Sequence, residues 1–283
     1  MNTIDIEIDI RDIKSFVQFF KEKYAYDFSD YALSSFKRRL QRLLHINQLK
    51  ELAELQKKII SNEIHFEKVV EEITVNTTEM FRDPGFWKKL KDTVVPNILK
   101  EKQGRIKIWH AACSSGEEVY SMAIVLKELG VLEKAEIIAT DINEEVMQRA
   151  KRGIYSKQTL QVNTANYKSY SNDALPDFNQ YYHENDEYTI QLERSLISGV
   201  KFQRFDLVKG SAFDSFDLIL LRNVMIYFNF ELQEKVTELV YSSLNNNGIL
   251  ALGTKETISW TKASENFTLK DPEDKIYRKN IRN

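Results

Sequence analysis

A run of small residues, Ala111-Ala112-Cys113-Ser114-Ser115-Gly116, leads straight into two carboxylates, Glu117 and Glu118. Small side chains let backbone approach a ligand closely. The run holds a single glycine, so it is not the G-x-G-x-x-G cradle of a pyrophosphate. Carboxylates at a helix start complement its dipole, and they would repel a dinucleotide's phosphates. They suit a ligand with positive charge or with hydroxyl and amino donors. Downstream, Asp141 closes an apolar run, where a carboxylate can accept both hydroxyls of a ribose. S-adenosylmethionine, with its sulfonium, ammonium and ribose hydroxyls, answers to this set. Taken singly, Glu117-Glu118 also fit dipole complementation and Asp141 a helix cap. Their order along the chain is what points to a cofactor.

These groups need elements to hold them. Over 105–110 the residues alternate as in a strand, and a helix follows over 117–129. A strand over 136–140 and a helix over 143–152, stopped by Gly153, come next. Residues 216–221 form a further apolar strand. A helix over 231–244 ends at Asn245-Asn246-Asn247-Gly248, and 249–252 is another strand. Strands alternating with helices imply a doubly wound, Rossmann-like parallel sheet. The first hundred residues instead read as helix after helix. Ser29 is a candidate cap for a helix to about residue 45, with Leu33, Phe36, Leu40, Leu43 and Leu44 on one side. Arg38, Arg42 and His45 lie opposite, with Lys37 and Arg39 on the flanks. Short helices over 49–60 and 63–72 follow. Asp83-Pro84 then opens a helix to about residue 102. Residues 155–200 break the alternation as a polar and aromatic insertion, with a hairpin strand over 188–192 whose partner is open. The expected domains are a helical domain over 1–75, a linker and connecting helix over 76–104, and a cofactor domain over 105–283.

Composition limits the alternatives. The chain has 283 residues, 42% hydrophobic and 29% charged, so a sizeable core is available. A net charge of −2 argues against nucleic acid as a partner. One cysteine and four scattered histidines leave no disulfide framework and no metal site. No apolar stretch reaches the roughly 20 residues of a membrane span, and no leader is evident. A cytoplasmic monomer without membrane insertion is the expectation.

Four blocks carry a family resemblance over nearly the whole chain. Asn76-Thr77-Thr78-Glu79-Met80-Phe81-Arg82-Asp83-Pro84 resembles the N-x-T-x-x-F-R-D signature of the CheR chemoreceptor glutamate methyltransferases. Residues 108–121 resemble that family's cofactor loop, and Ala139-Thr140-Asp141-Ile142-Asn143 its ribose-binding turn. Leu221-Arg222-Asn223-Val224-Met225-Ile226-Tyr227-Phe228 matches its R-N-V-x-I-Y-F block. The resemblance implies transfer of a methyl group from S-adenosylmethionine to receptor glutamates, leaving S-adenosylhomocysteine. It implies cofactor contacts from Asn76, Thr78, Arg82, Ala111, Glu118, Asp141, Asp206, Leu207, Arg222 and Asn223. Arg82 and Tyr227 would stand beside the reacting carboxylate, although an ion pair for Arg82 and a core place for Tyr227 stay open. Lys37, Arg38, Arg39 and Arg42 would dock acidic chemoreceptor helices. The insertion would be a small antiparallel β-subdomain, which in some members takes a receptor's C-terminal tail. Val119 stands where the family has Pro, Asp206 where it has Asn, and Gly253-Thr254-Lys255-Glu256 where it has G-H-S-E. The last departure leaves that loop without an assigned role. A non-catalytic cofactor-binding adaptor, a nucleic-acid methyltransferase and an NAD-dependent oxidoreductase are the competing readings. The D/N-P-P-Y/F motif of nitrogen methylation is missing, and so are the glycines that NAD requires.

Overall fold

The computed structural model describes residues 6–74, 78–103, 105–171 and 177–281. Asn76 lies outside them. Two compact units form, Met1–Asn76 with Val224–Val236, and Thr77–Asn223 with Thr237–Asn283.

The first unit contains α1 (Ile10–Tyr24), α2 (Leu33–Ile46), α3 (Leu52–Ile60) and α4 (Phe66–Thr74). Phe16, Phe20, Phe36, Leu40, Leu44, Leu55 and Ile73 are buried and supply its core. Asp9 caps α1 by accepting the N–H of Arg11 at 2.8 Å. Ser29 does not cap α2. Its N–H is drawn to the Asp27 carboxylate at 3.0 Å in a preceding turn, and Ala32 holds the cap position. Leu33 is therefore at the helix start and exposed, one turn ahead of the buried stripe. Arg39 departs further from expectation, because it is buried rather than free for docking. Its guanidinium donates to the Ile73 carbonyl and lies 3.9 Å from the centre of the Tyr227 ring. Lys37 is half-buried, and Arg38 and Arg42 remain exposed, with Arg42 3.3 Å from Glu72.

The R-N-V-x-I-Y-F block is divided between the units after Asn223. Ala32 donates its N–H to the Tyr227 carbonyl at 2.8 Å, and Asn229 to the Asp30 carbonyl at 2.8 Å. Tyr31 and Phe228 form a β-bridge. Tyr227 is half-buried, so it is not a core aromatic.

The second unit opens with α5 (Pro84–Lys89), a π-type turn over Leu90–Val94, and α6 (Val95–Glu101). The expected single helix is thus interrupted. Pro96 has no N–H for the residue 92 carbonyl, and the backbone widens just ahead of it. Then follow β1 (Ile106–Ala111), α7 (Glu117–Glu128), β2 (Ala135–Asp141), α8 (Glu144–Arg152), β3 (Ile154–Ser156), α9 (Lys157–Ser171), β4 (Tyr182–Glu184), β5 (Thr189–Leu192), β6 (Val200–Arg204) and β7 (Phe216–Leu221). The chain ends with α10 (Phe230–Ser243), β8 (Leu244–Leu252), β9 (Phe267–Asp271) and β10 (Ile276–Lys279). The main sheet runs β6-β2-β1-β7-β8-β10-β9. The first five are parallel, and β10 is antiparallel to both β8 and β9. β7 is buried throughout, as a central parallel strand must be. Asn245–Gly248 is not a terminating turn; β8 runs through it with a register shift against β7.

The insertion contains its own three-stranded antiparallel sheet, β3-β5-β4. Residues 189–192 thus have two partners, one on each side. It also contains α9, which carries no apolar stripe because its buried side is made of Asn163, Tyr167, Tyr170 and Ser171. Among the described residues no helix is long and apolar enough to cross a membrane.

Candidate active site

The chain leaves β1 outward to β2 and β6, then returns to the other side of β1 as β7. Strand order reverses there, and ligands of open α/β sheets bind beyond the carboxyl ends of the strands at such a point. Four loops meet that edge: 112–116 after β1, 142–143 after β2, 205–210 after β6, and 222–223 after β7. Ala112, Ser114 and Gly116 all take left-handed conformations, at φ +65°, +50° and +94°. Gly116 has no alternative, since a Cβ there would stand 2.6 Å from Ala150 Cβ. For Ala112 and Ser114 the conformation costs about 1–2 kcal/mol each, a strain that recurs at Phe81, Asp83 and Asn223.

Asp141 is buried and does not cap α8; Asn143 does, accepting the N–H of Glu145 at 2.9 Å. The Asp141 carboxylate accepts N–H groups from Ser114 at 2.8 Å and Asn143 at 3.0 Å. Burial pushes its pKa up despite these bonds. The Ile142 N–H also supports it, and a carboxylate, with about four lone-pair sites, can still accept a hydroxyl donor. Burial likewise pushes Glu117 up to about 7, only partly opposed by Ser115, whose hydroxyl lies 2.8 Å away. Glu118 behaves oppositely. Burial raises it, but bonds to His110 at 2.8 Å and to Arg222 at 3.4 Å more than offset this and hold it below the usual range.

Arg222 ties the parts together. Its side chain is 1% exposed. Nη2 donates to Asp83 at 2.7 Å and to the Arg82 carbonyl at 3.3 Å, while Nη1 reaches Glu118. The guanidinium lies 4.0 Å from the centre of the Phe86 ring. Asp83 therefore holds the cap position of α5 without capping it, its carboxylate being turned to Arg222.

The segment over 79–83 is gripped along its main chain. Asn163 accepts the Met80 N–H at 3.1 Å, and Asn166 donates to the Met80 carbonyl at 3.0 Å. Ser121 accepts the Phe81 N–H at 2.9 Å, and the Trp87 indole donates to the Arg82 carbonyl at 2.9 Å. The Phe81 ring stacks on Tyr170, centroids 4.7 Å apart, and meets Tyr167 edge-on at 5.1 Å. Both tyrosine hydroxyls donate to the buried Glu128 carboxylate, which Tyr181 and Lys91 also bind.

In this unit Ala111 and Asp141 end β1 and β2, Glu118 lies in the first turn of α7, and Asp206, Leu207, Arg222 and Asn223 lie in the loops after β6 and β7, while Thr78 and Arg82 precede α5. Asp206 uses Oδ1 to close its own turn, accepting the Val208 N–H at 2.8 Å. Tyr227 groups with the helical unit. Sequence reading missed His110, Ser121, Asn163 and Asn166. Ser121, one turn beyond Glu117, and the i, i+3 asparagine pair were the available signals. Four buried polar atoms near these strand ends have no hydrogen-bond partner among the described residues: His110 Nε2, Ser114 Oγ, Asn143 Nδ2 and Arg222 Nε. Buried polar groups require partners, and a ligand rich in donors and acceptors supplies them.

A doubly wound sheet with carboxylates where a dinucleotide site places glycines fits a nucleoside cofactor without a pyrophosphate. Comparison makes the class specific. The family description "CheR methyltransferase, SAM binding domain" matches residues 76–273, and "CheR methyltransferase, all-alpha domain" matches residues 11–74. A Pseudomonas putida chain named "Putative methyltransferase Cher3" is 38% identical, over 91% of this chain and 92% of its own length. A "Chemotaxis protein methyltransferase" of Listeria innocua is 29% identical, over 88% and 90%. "Chemotaxis protein methyltransferase 1" of Pseudomonas aeruginosa is 32% identical, over 78% and 81%. The chain belongs to the CheR methyltransferase family. It is a methyltransferase, and its cofactor is S-adenosylmethionine.

The buried Glu117 makes stability depend on pH. Its pKa rises on folding from the usual 4.5 to about 7. Within that window the folded chain keeps a proton that the unfolded chain has lost, so stability falls as pH rises, by about 3 kcal/mol in total. Glu117→Gln should therefore raise the urea midpoint at about pH 8 and lose that advantage near pH 4.5. The same midpoint gain at both pH values would contradict this origin.

Proposed function

We propose that this methyltransferase acts on glutamate side-chain carboxylates of chemoreceptors in chemotaxis, forming glutamate methyl esters. The reading is supported by the relatives named chemotaxis protein methyltransferase. The observation that supports it is the grip on the Arg82 main chain, which gives a rigid mount to the cation proposed to meet the substrate carboxylate. S-adenosylmethionine, when bound, supplies an electrophilic methyl group on a sulfonium. An acceptor glutamate is ionised at neutral pH, which lies well above the usual carboxylate range, so no residue has to remove a proton. Arg82 orients one carboxylate oxygen through its fork of donors and leaves the other to react. Held by the residues named below, the cofactor would supply its methyl group to that oxygen, with the carbon–sulfur electron pair retained by S-adenosylhomocysteine. Alignment of the two reactants contributes about 7–11 kcal/mol. Asp141 holds the ribose hydroxyls. Ala111, Glu118, Arg222, Asn223, Leu207 and Asp206, with Asn76 and Thr78, complete the cofactor contacts. Tyr227, whose ring is braced by Arg39, donates to the acceptor or packs against its methyl group. Arg38 and Arg42, with Lys37, steer the acidic receptor helix. A receptor C-terminal peptide would add to the open edge of β4.

Labelled methyl transfer to a receptor cytoplasmic fragment tests the acceptor. Label released by mild base as methanol is expected; base-stable label would exclude a carboxyl ester. Docking is tested separately. Arg38→Glu with Arg42→Glu should slow transfer to the receptor fragment by about tenfold at low salt. Binding of S-adenosylhomocysteine should be unaffected, and an unchanged transfer rate would remove α2 from the docking surface.

A further inference from the structure

The loop after β8 ends in a carboxylate placed where a charge is costly, for Glu256 is 4% exposed. One oxygen, Oε2, accepts two backbone N–H groups, from Gly253 and from Asn223, each at 2.7 Å. The loop is closed by the N–H of Glu256 donating to the Gly253 carbonyl at 2.9 Å. β7 has already ended at Leu221, so the Asn223 N–H finds no sheet partner and depends on this acceptor. Asn223 itself is held in the left-handed region, at φ +61°. Gly253 completes the arrangement. A Cβ there would stand 2.8 Å from Glu256 Oε2 and 2.9 Å from Asn223 Oδ1. The two loops close on each other with no room for a side chain between them.

We propose that Glu256 is a positioning residue for cofactor binding. Its carboxylate clamps the loop after β8 to the turn after β7 and fixes Asn223 in the conformation from which it meets S-adenosylmethionine. Glu256 acts through the backbone of Asn223 and touches neither cofactor nor acceptor. The inference rests on the cofactor contact assigned to Asn223 above; the identity of the methyl acceptor does not enter it. The loop that stood without a role in the sequence thereby acquires one, and Glu256 is the residue that carries it. Thr254 and Lys255 take no part in the clamp.

Calorimetric titration of the full chain with S-adenosylhomocysteine, alongside thermal unfolding, tests the clamp. Glu256→Gln keeps an oxygen at the same place and should bind within about twofold of the native protein. Glu256→Ala leaves both N–H groups bare and should bind at least about fivefold more weakly. Gly253→Ala keeps the carboxylate but pushes a Cβ against it and against Asn223, forcing the same contact apart, and should weaken binding comparably. The double variant should be no weaker than the worse single one, because both break one contact. A merely structural Glu256 would lower Tm in the alanine variant and leave the dissociation constant of the folded protein unchanged; that result would overturn the proposal. So would single losses that multiply in the double variant. Should Glu256→Ala fail to fold, Gly253→Ala reads the same clamp. Asn223→Ala separates the two levels. If it binds as the native protein does, the cofactor contact of Asn223 falls, and the clamp's purpose with it. If it binds weakly while Glu256→Ala does not, the clamp alone is wrong.

Discussion

A guanidinium taken out of water must be paired or it destabilises the fold. Arg222 is paired three ways, to Asp83, to Glu118 and to the Arg82 carbonyl, and its face is covered by Phe86. These partners come from separate parts of the second unit: the segment before α5, the start of α7, and α5 itself. A buried charge that satisfies several elements at once fixes their spacing more sharply than apolar packing does, because each partner left unmet costs about 1–3 kcal/mol. Glu118, which the sequence suggests as a cofactor ligand, is therefore an internal strut. Glu118 is held ionised between His110 and Arg222, and Asp83 gives up its capping role to reach the same cation.

The insertion is bound into this arrangement and is not a peripheral excursion. Two asparagines on α9 take both polar groups of the Met80 peptide. The aromatic cradle around Phe81 is anchored on a single carboxylate, Glu128, through tyrosine hydroxyls. Phe81 and Asp83 both sit at positive φ, and surrounding contacts have to hold such residues in place. Helix α9 thus contributes to the position of Arg82 although no residue of it belongs to the four motif blocks.

Much of this was legible in the residues. The strands near 106–111, 135–141 and 216–221 have strong apolar patterns, and small residues followed by carboxylates marked the first loop. What stayed hidden follows from physical causes. α9 buries polar side chains, so hydrophobic periodicity could not reveal it. Arg39 was read as surface because charge usually is, yet a carbonyl and the Tyr227 ring provide it with buried partners. The start of α2 was misplaced because Asp27 claims the backbone that Ser29 would have capped. The division of the Arg222–Phe228 block between two units depends on backbone bonds from residues 30–32, which no local pattern announces.

In the proposed site, one buried guanidinium organises the cofactor pocket. Lysine keeps the charge but is a point donor. It cannot bridge two carboxylates and a carbonyl while lying flat on Phe86. The dissociation constant of S-adenosylhomocysteine for Arg222→Lys, measured by calorimetry on protein that still unfolds cooperatively, tests this directly. The account predicts binding weaker by about tenfold or more. Binding equal to that of the native chain would contradict it.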